Sequence, residues 1–247
     1  MISRTEIGEW AERFGVAVPQ IARDHFISHV LKALGESHPD VRFFGGTALC
    51  RTYLEGTRLS EDVDLLHPDP RGFLDLLAYE LPRALRREFP DTTWLPLPPE
   101  GDGSAGSLLP PGLSAIKVYV GRDGADTRAW EFADTDVELR YSDLPATREM
   151  QCPTAAAFAA MKLAAWFDRH TPRDLFDLAG LARLGVLADP EVARRLRAQT
   201  GVGIVEADFA RAPSATVDAW ETELAAQVRV LPDIETCLRE VRLALTL

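Results

Sequence analysis

Phe44-Gly45-Gly46-Thr47-Ala48-Leu49, followed a short way on by Arg58-Leu59-Ser60-Glu61-Asp62-Val63-Asp64-Leu65, is the stretch that decides how this chain folds. Val41-Arg42-Phe43-Phe44 has β character and stops at two glycines. A glycine pair after a strand and before a helix lets backbone approach a ligand closely, and a helix start offers free N–H groups to an anion. Thr47 is expected to cap a helix from Ala48 to about Leu54. From Ser60 to Leu66 acids alternate with aliphatics. That is the strand period, so Asp62 and Asp64 share one face while Val63 and Leu65 take the other. Two carboxylates so close resist ionising together unless a cation or base compensates them. Magnesium favours a few carboxylates together with substrate phosphates. A triphosphate on the glycine turn, bridged by metal to Asp62 and Asp64, is therefore the arrangement these residues imply. Phosphoryl-type transfer needs mainly such positioning and charge neutralisation.

Outward from this stretch, the apolar spacing of Ile21, Phe26, Val30, Leu31 and Leu34 predicts a helix over 19–36, and another follows over 72–88. Residues 95–112 are dense in proline and glycine and read as a long surface loop. Ala115 to Val120 alternates as a strand, with Lys117 and Tyr119 on the face opposite Ile116, Val118 and Val120. Further strands are expected over 128–132 and 137–141. Beyond Cys152-Pro153 the pattern turns helical, over 154–169, 173–184, 189–199, 214–227 and 232–245. The class implied is α+β: a mixed-sheet core over 1–148, then an α-helical domain over 149–247.

Composition narrows the function classes. A net charge of −11 argues against indiscriminate binding to phosphate backbones. The acid is uneven, with 25 acids and 16 bases in residues 1–150 against 13 and 11 in the remainder. The first part is thus suited to a divalent cation, while Arg183, Arg194, Arg195 and Arg197 form either a local basic face or an ordinary solvated helix surface. No apolar run approaches the roughly 20 residues that span a bilayer, and acid stands where a signal peptide is apolar, so the cytoplasm is the expected location. Cys50, Cys152 and Cys237 are scattered and read as buried thiols. His25 and His29 stand four apart, a zinc-compatible spacing without an evident third ligand, and read as surface residues.

A second constellation lies in the helical half. Lys162 and Arg169 are two turns apart on one face, Asp174 and Asp177 are i,i+3 neighbours, and Thr171-Pro172 restarts the helix at Arg173. Taken alone it also fits plain capping with an Arg–Asp surface pair. The two motifs in this order, the second running from Lys162 to Arg173-Asp174-Leu175-Phe176-Asp177, resemble the AbiEii/AbiGii nucleotidyltransferase toxins. These include the MenT-like toxins and belong to the DNA-polymerase-beta-like nucleotidyltransferase superfamily. The resemblance implies a nucleotidyltransferase-type mixed sheet with a helical C-terminal domain. It also implies an NTP substrate and Mg²⁺, with Mn²⁺ as the alternative ion. RNA, with the tRNA 3′ end leading, is the implied acceptor, and a cognate antitoxin the implied partner. By motif position Asp62 and Asp64 hold metal. Gly45, Gly46, Thr47 and Ser60 lie at the triphosphate, with Lys117 and Arg173 as further nucleotide contacts. Lys162 and Asp174 complete the catalytic set. The family pattern often has an acid on the strand where this chain has Tyr119, whose ordinary pKa of about 10 makes it a poor base. Asp174 or Glu138 then substitutes, or no side chain does. A protein acceptor, or a nucleotide-binding protein without turnover, are the alternatives.

Overall fold

The computed structural model describes residues 2–125, 127–201, 203 and 209–245. The chain divides into two units, one of Met1–Ala125 with Ala133–Cys152, the other of Asp126–Phe132 with Pro153–Leu247. In the first, α1 (Arg4–Phe14) and α2 (Val18–Ser37) precede β1 (Arg42–Phe44), α3 (Gly45–Cys50), β2 (Val63–His67) and α4 (Pro70–Ala84). Then come β3 (Thr93–Pro96), β4 (Ser104–Leu109), β5 (Ile116–Arg122), β6 (Phe132–Glu138) and β7 (Thr147–Pro153). The strands make one seven-stranded sheet in the order β3-β4-β5-β2-β1-β7-β6. It is mixed: β2 runs antiparallel to β1 and parallel to β5, and β1 runs parallel to β7. The α+β class with a mixed sheet is thus what the structure shows.

The alternation seen in the sequence is a burial pattern. Val63 and Leu65 of β2 and Ile116, Val118 and Val120 of β5 have no exposed surface. Each such aliphatic side chain contributes about 1.5–3 kcal/mol on burial. Helix α2 is buried more completely than its apolar stripe requires, since Asp24, His25, Ser28 and His29 are covered as well. Asp24 is compensated in full: its Oδ1 lies 2.8 Å from Arg51 Nη2 and 3.0 Å from Arg140 Nη1, and its Oδ2 accepts from Tyr141 Oη at 2.8 Å. Burial acts to raise the Asp24 pKa, but Arg140 and Arg51 outweigh it and hold the carboxylate ionised. Losing Asp24 would leave the buried Arg51 guanidinium without a carboxylate, at a cost of about 3–5 kcal/mol.

Four local expectations need correction. Residues 95–112 are mostly the β3–β4 edge hairpin, in which Trp94 pairs with Leu108 and Pro96 with Gly106. Small residues make this run look like a loop, yet they are required: a Cβ on Gly106 would lie 2.2 Å from the Trp94 ring. Helix α3 begins at Gly45 with Phe44 as its cap residue, so Thr47 sits inside it. Residues 127–130 form a turn, and in place of strands over 128–132 and 137–141 there is a single strand, β6, over Phe132–Glu138, with 139–146 in a turn region. Strand β7 was hidden because the charged residues Arg148 and Glu149 and the polar Gln151 surround its buried Met150 and Cys152.

The second unit carries the helices expected from the sequence. They are α5 (Ala155–Arg169), α6 (Pro172–Arg183), α7 (Pro190–Thr200), α8 (Ser214–Leu224) and α9 (Ile234–Ala244), with a 3-10 turn at Val186–Ala188. Side-chain caps set three of the starts: Thr154 on Ala157 N–H, Asp189 on Glu191 N–H and Asp233 on Thr236 N–H. Trp166, Leu175, Leu178, Leu181, Leu238 and Val241 fill the core of this unit. The three cysteines are buried thiols, and burial pushes that of Cys152 up to about 12. Among the described residues no helix is long and apolar enough to cross a membrane.

Candidate functional site

Strand register brings the first motif together. Phe44 of β1 lies opposite Asp64 of β2, and Asp64 in turn lies opposite Tyr119 of β5. The residue after Phe44 is therefore forced against the Asp64 side chain. Gly45 meets this demand with φ +77°, and a Cβ there would sit 2.1 Å from Asp64 Oδ2. At Gly46 a Cβ would lie 2.9 Å from Arg58 Nη2 and 3.2 Å from Ser60 Oγ. Both glycines exist because carboxylate, guanidinium and hydroxyl groups press on the backbone.

Thr47 is buried at 1% exposure and braces the second half of the motif. Its Oγ1 bonds the carbonyl of Asp62 and lies 2.9 Å from Ser60 Oγ. Buried Arg58 donates from Nη1 to the Leu59 carbonyl at 2.9 Å. Arg23 of α2 holds the same segment, with Nη1 2.8 Å from Glu61 Oε2 and Nη2 donating to the Ala115 carbonyl at 2.9 Å. The segment that carries Asp62 is thus fixed from both sides.

Lys117 joins this group. Its Nζ lies 2.5 Å from Glu100 Oε2 and 5.9 Å from the Tyr119 ring centre. The hydrogen bond to Glu100 is the main reason its pKa is raised, and Asp62 and Asp64 add to the shift, which places both aspartates within electrostatic reach of the ammonium. Tyr119 is pushed the other way from a base. Burial raises its pKa, and Asp102, Glu100 and Asp64 raise it further, so the phenol stays protonated. Glu100 and Asp102 belong to the tip of the β3–β4 hairpin, whose proline and glycine content reads as loop in the sequence and hides them. Close packing brings them here: a Cβ on Gly103 would lie 2.5 Å from Tyr119 Oη. Glu138 lies on the other side of β2 from Tyr119 in the sheet order. It ends β6, three strands from β2 or about 14 Å away at ordinary strand spacing, and its carboxylate is 3.0 Å from Arg140 Nε.

In the helical unit Lys162 is buried between two aspartates, 3.1 Å from Asp174 Oδ1 and 2.7 Å from Asp177 Oδ2. Asp174 also accepts from Arg169 Nε at 2.8 Å and from Thr171 Oγ1 at 2.6 Å. Burial works to raise its pKa, but Lys162, Arg169 and Thr171 hold it far below the usual carboxylate range. The second motif is therefore an ionic joint between α5 and α6. Arg173 stands apart from the joint, half-exposed, with Nε 3.5 Å from Glu223. The proposed basic face is partly neutralised: Arg183 pairs with Glu240, Arg194 with Glu191, and Arg195 with Glu131 and Glu191. His25 and His29, expected on the surface, are buried.

Comparison with known proteins identifies the family. The family described as "Nucleotidyl transferase AbiEii toxin, Type IV TA system" matches residues 29–241. Among solved structures the chain is similar to MenT4, a nucleotidyltransferase toxin from Mycobacterium tuberculosis H37Rv, at 18% identity and TM-score 0.67, over 99% of this chain and 89% of that one. ANT(2″)-Ia in complex with adenylyl-2″-tobramycin matches at 14% identity and TM-score 0.41, over 67% of this chain and 92% of that one. No curated protein matches the sequence. With its family matched over most of its length and its fold shared with a solved toxin, the chain belongs to the AbiEii nucleotidyl transferase toxins of type IV toxin–antitoxin systems and is a nucleotidyltransferase.

Proposed function

We propose that this nucleotidyltransferase uses Mg²⁺, with Mn²⁺ as the alternative ion, to transfer a nucleotidyl group from an NTP to RNA, the tRNA 3′ end being the leading acceptor. The observation that carries the proposal is the Asp64 carboxylate seated on the Gly45 backbone, with Asp62 and Asp64 both acting on Lys117. These residues fit a hard divalent cation. The donors are carboxylate oxygens, and there are few of them, as a small hard cation that keeps substrate phosphates in its shell requires. Asp62 and Asp64 would hold the ion, which when bound neutralises phosphate charge. The bare backbone of Gly45 and Gly46 lets phosphates approach, and Ser60 lies beside that turn. Thr47 acts by holding Asp62 and Ser60 in place. Lys117 offsets negative charge, and Tyr119 takes no part in proton removal.

Lys162, Asp174 and Arg173 enter the proposal through the family's second signature. Their ion pairs support a first role for Lys162 and Asp174 in fixing the α5–α6 joint. We divide the protein functionally into a core over 1–148 and a helical domain over 149–247. A toxin acting on cytoplasmic RNA and countered by a cognate antitoxin protein is the cellular setting.

The test is to incubate the protein with total RNA, with and without Mg²⁺, and with each labelled NTP in turn, beside Asp62→Ala and Asp64→Ala. Metal-dependent RNA labelling that both variants abolish supports the proposal. Labelling of protein alone, or nucleotide binding without transfer, refutes it in favour of a protein acceptor or a chain without turnover.

A further inference from the structure

His25 and His29 are one turn apart on α2, and the turn after β6 brings Asp143 to them from 118 residues away in sequence. His25 Nε2 lies 3.0 Å from Asp143 Oδ1 and 3.1 Å from His29 Nε2, and His29 Nε2 lies 3.4 Å from Asp143 Oδ2. Both imidazoles are buried, while the Asp143 side chain is 15% exposed. Phe89 packs on both rings and Tyr141 on that of His25, so the histidines are walled by aromatic groups.

Protons alone cannot satisfy this triangle. Each neutral imidazole Nε2 carries one proton or one lone pair, and an ionised carboxylate carries none. The contacts to Asp143 and to His29 both meet at His25 Nε2, whose single proton or single lone pair cannot serve them as two separate hydrogen bonds. If both histidines donate to Asp143, their N–H groups face each other at 3.1 Å. If only His25 donates, the His29 lone pair faces Asp143. A cation at the centre meets all three lone pairs at once. Zinc bonds of about 2.0–2.2 Å in tetrahedral array set neighbouring ligand atoms about 3.3–3.5 Å apart, close to the edges found. The two nitrogens and one carboxylate oxygen match zinc or a similar borderline ion and not magnesium.

We infer that His25, His29 and Asp143 form a zinc-type transition-metal site, separate from Asp62 and Asp64, that staples α2 to the turn after β6. The grouping is the one set of three or more His, Cys, Asp or Glu ligand atoms found to converge among the described residues. The site lies next to Asp24 and Tyr141, so the staple reinforces the same junction that the Asp24–Arg51–Arg140 network holds.

The experiment titrates chelator-treated protein with ZnSO4 by calorimetry and with CoCl2 by visible absorption. The proteins are wild type, His29→Gln, Asp143→Asn and the Asp62→Ala/Asp64→Ala double variant, each checked for folding by circular dichroism. Expected are one Zn²⁺ per chain, the intense visible bands of low-coordinate Co²⁺, and a rise in Tm on adding Zn²⁺. His29→Gln should weaken Zn²⁺ binding at least 100-fold and Asp143→Asn at least 10-fold, while the Asp62→Ala/Asp64→Ala protein binds like wild type. Asp143 lies in a partly exposed turn, so its variant reports on the ligand with the helix intact. Absence of stoichiometric Zn²⁺ binding in wild type overturns the inference. So does equal binding in folded His29→Gln and Asp143→Asn, or loss of the ion in the Asp62→Ala/Asp64→Ala protein.

Discussion

Replacing Gly45 by alanine tests the link between backbone and carboxylate directly. The new methyl would start 2.1 Å from Asp64 Oδ2, and ordinary contact begins at 3.4 Å, so oxygen and methyl must separate by about 1.3 Å. The backbone resists the change too, because φ +77° is costly for any residue with a Cβ, at about 1–2 kcal/mol. In a chain of this length each kcal/mol lowers Tm by about 2–4 °C, so a fall of roughly 2–8 °C is expected. The effect on transfer should be larger than stability explains. Displacing a reacting or metal-holding group by about 1 Å costs on the order of 10²-fold in rate. Gly45→Ala should therefore remain folded at 25 °C yet transfer nucleotide about 100-fold more slowly, with weaker Mg²⁺-dependent NTP binding. The measurements are a transfer time course with labelled NTP and a Tm series. Combining Gly45→Ala with Asp64→Ala should add little further loss, since both act through one carboxylate. A Gly45→Ala protein with wild-type transfer, or a double variant whose losses simply multiply, would refute the reasoning.

Asp174→Asn should destabilise the helical unit by about 1.5–3 kcal/mol, because Lys162 keeps Asp177 but loses its charged hydrogen bond to Asp174. The pH dependence follows from the depressed pKa of Asp174 in the folded chain. The unfolded chain takes up the proton first, near its ordinary 3.8, so the stability Asp174 provides is complete above about pH 5 and is lost as pH falls toward the folded value. Urea midpoints from pH 7 down to pH 3 should fall more steeply for wild type than for Asp174→Asn; parallel curves would contradict this. Tyr119→Phe should keep transfer within about threefold of wild type, since a phenol held above its usual pKa cannot act as base. A loss beyond about 100-fold, with the fold intact by circular dichroism, would restore Tyr119 to the chemistry.

Much of this was legible in the chain itself. Period-two alternation around Val63 and Ile116, period-3.6 patterns beyond Cys152, and the Asp62/Asp64 and Lys162/Asp174 spacings are local properties. Local sterics and the burial of one face act on them directly. The β3–β4 hairpin was not legible, because Gly106 is small only on account of Trp94, a partner on another strand. Thr47 looked like a helix cap for the same reason. Its hydroxyl is used by Asp62 and Ser60, which reach it only once β1 and β2 have paired.

Residue types and short spacings determined that this chain pairs two strand-spaced carboxylates with a glycine turn, has a mixed sheet to carry them, and has a helical half with a Lys–Asp signature. Tertiary structure alone decided which of those charges are already paired. It turned Lys162 and Asp174 into a buried joint, brought Glu100 and Asp102 onto the face of Tyr119, and gave His25 and His29 their third ligand. The physical reason is that an ionised or metal-binding group is defined by what lies within about 4–6 Å of it, and in a folded chain those neighbours come from strands and turns far away in sequence.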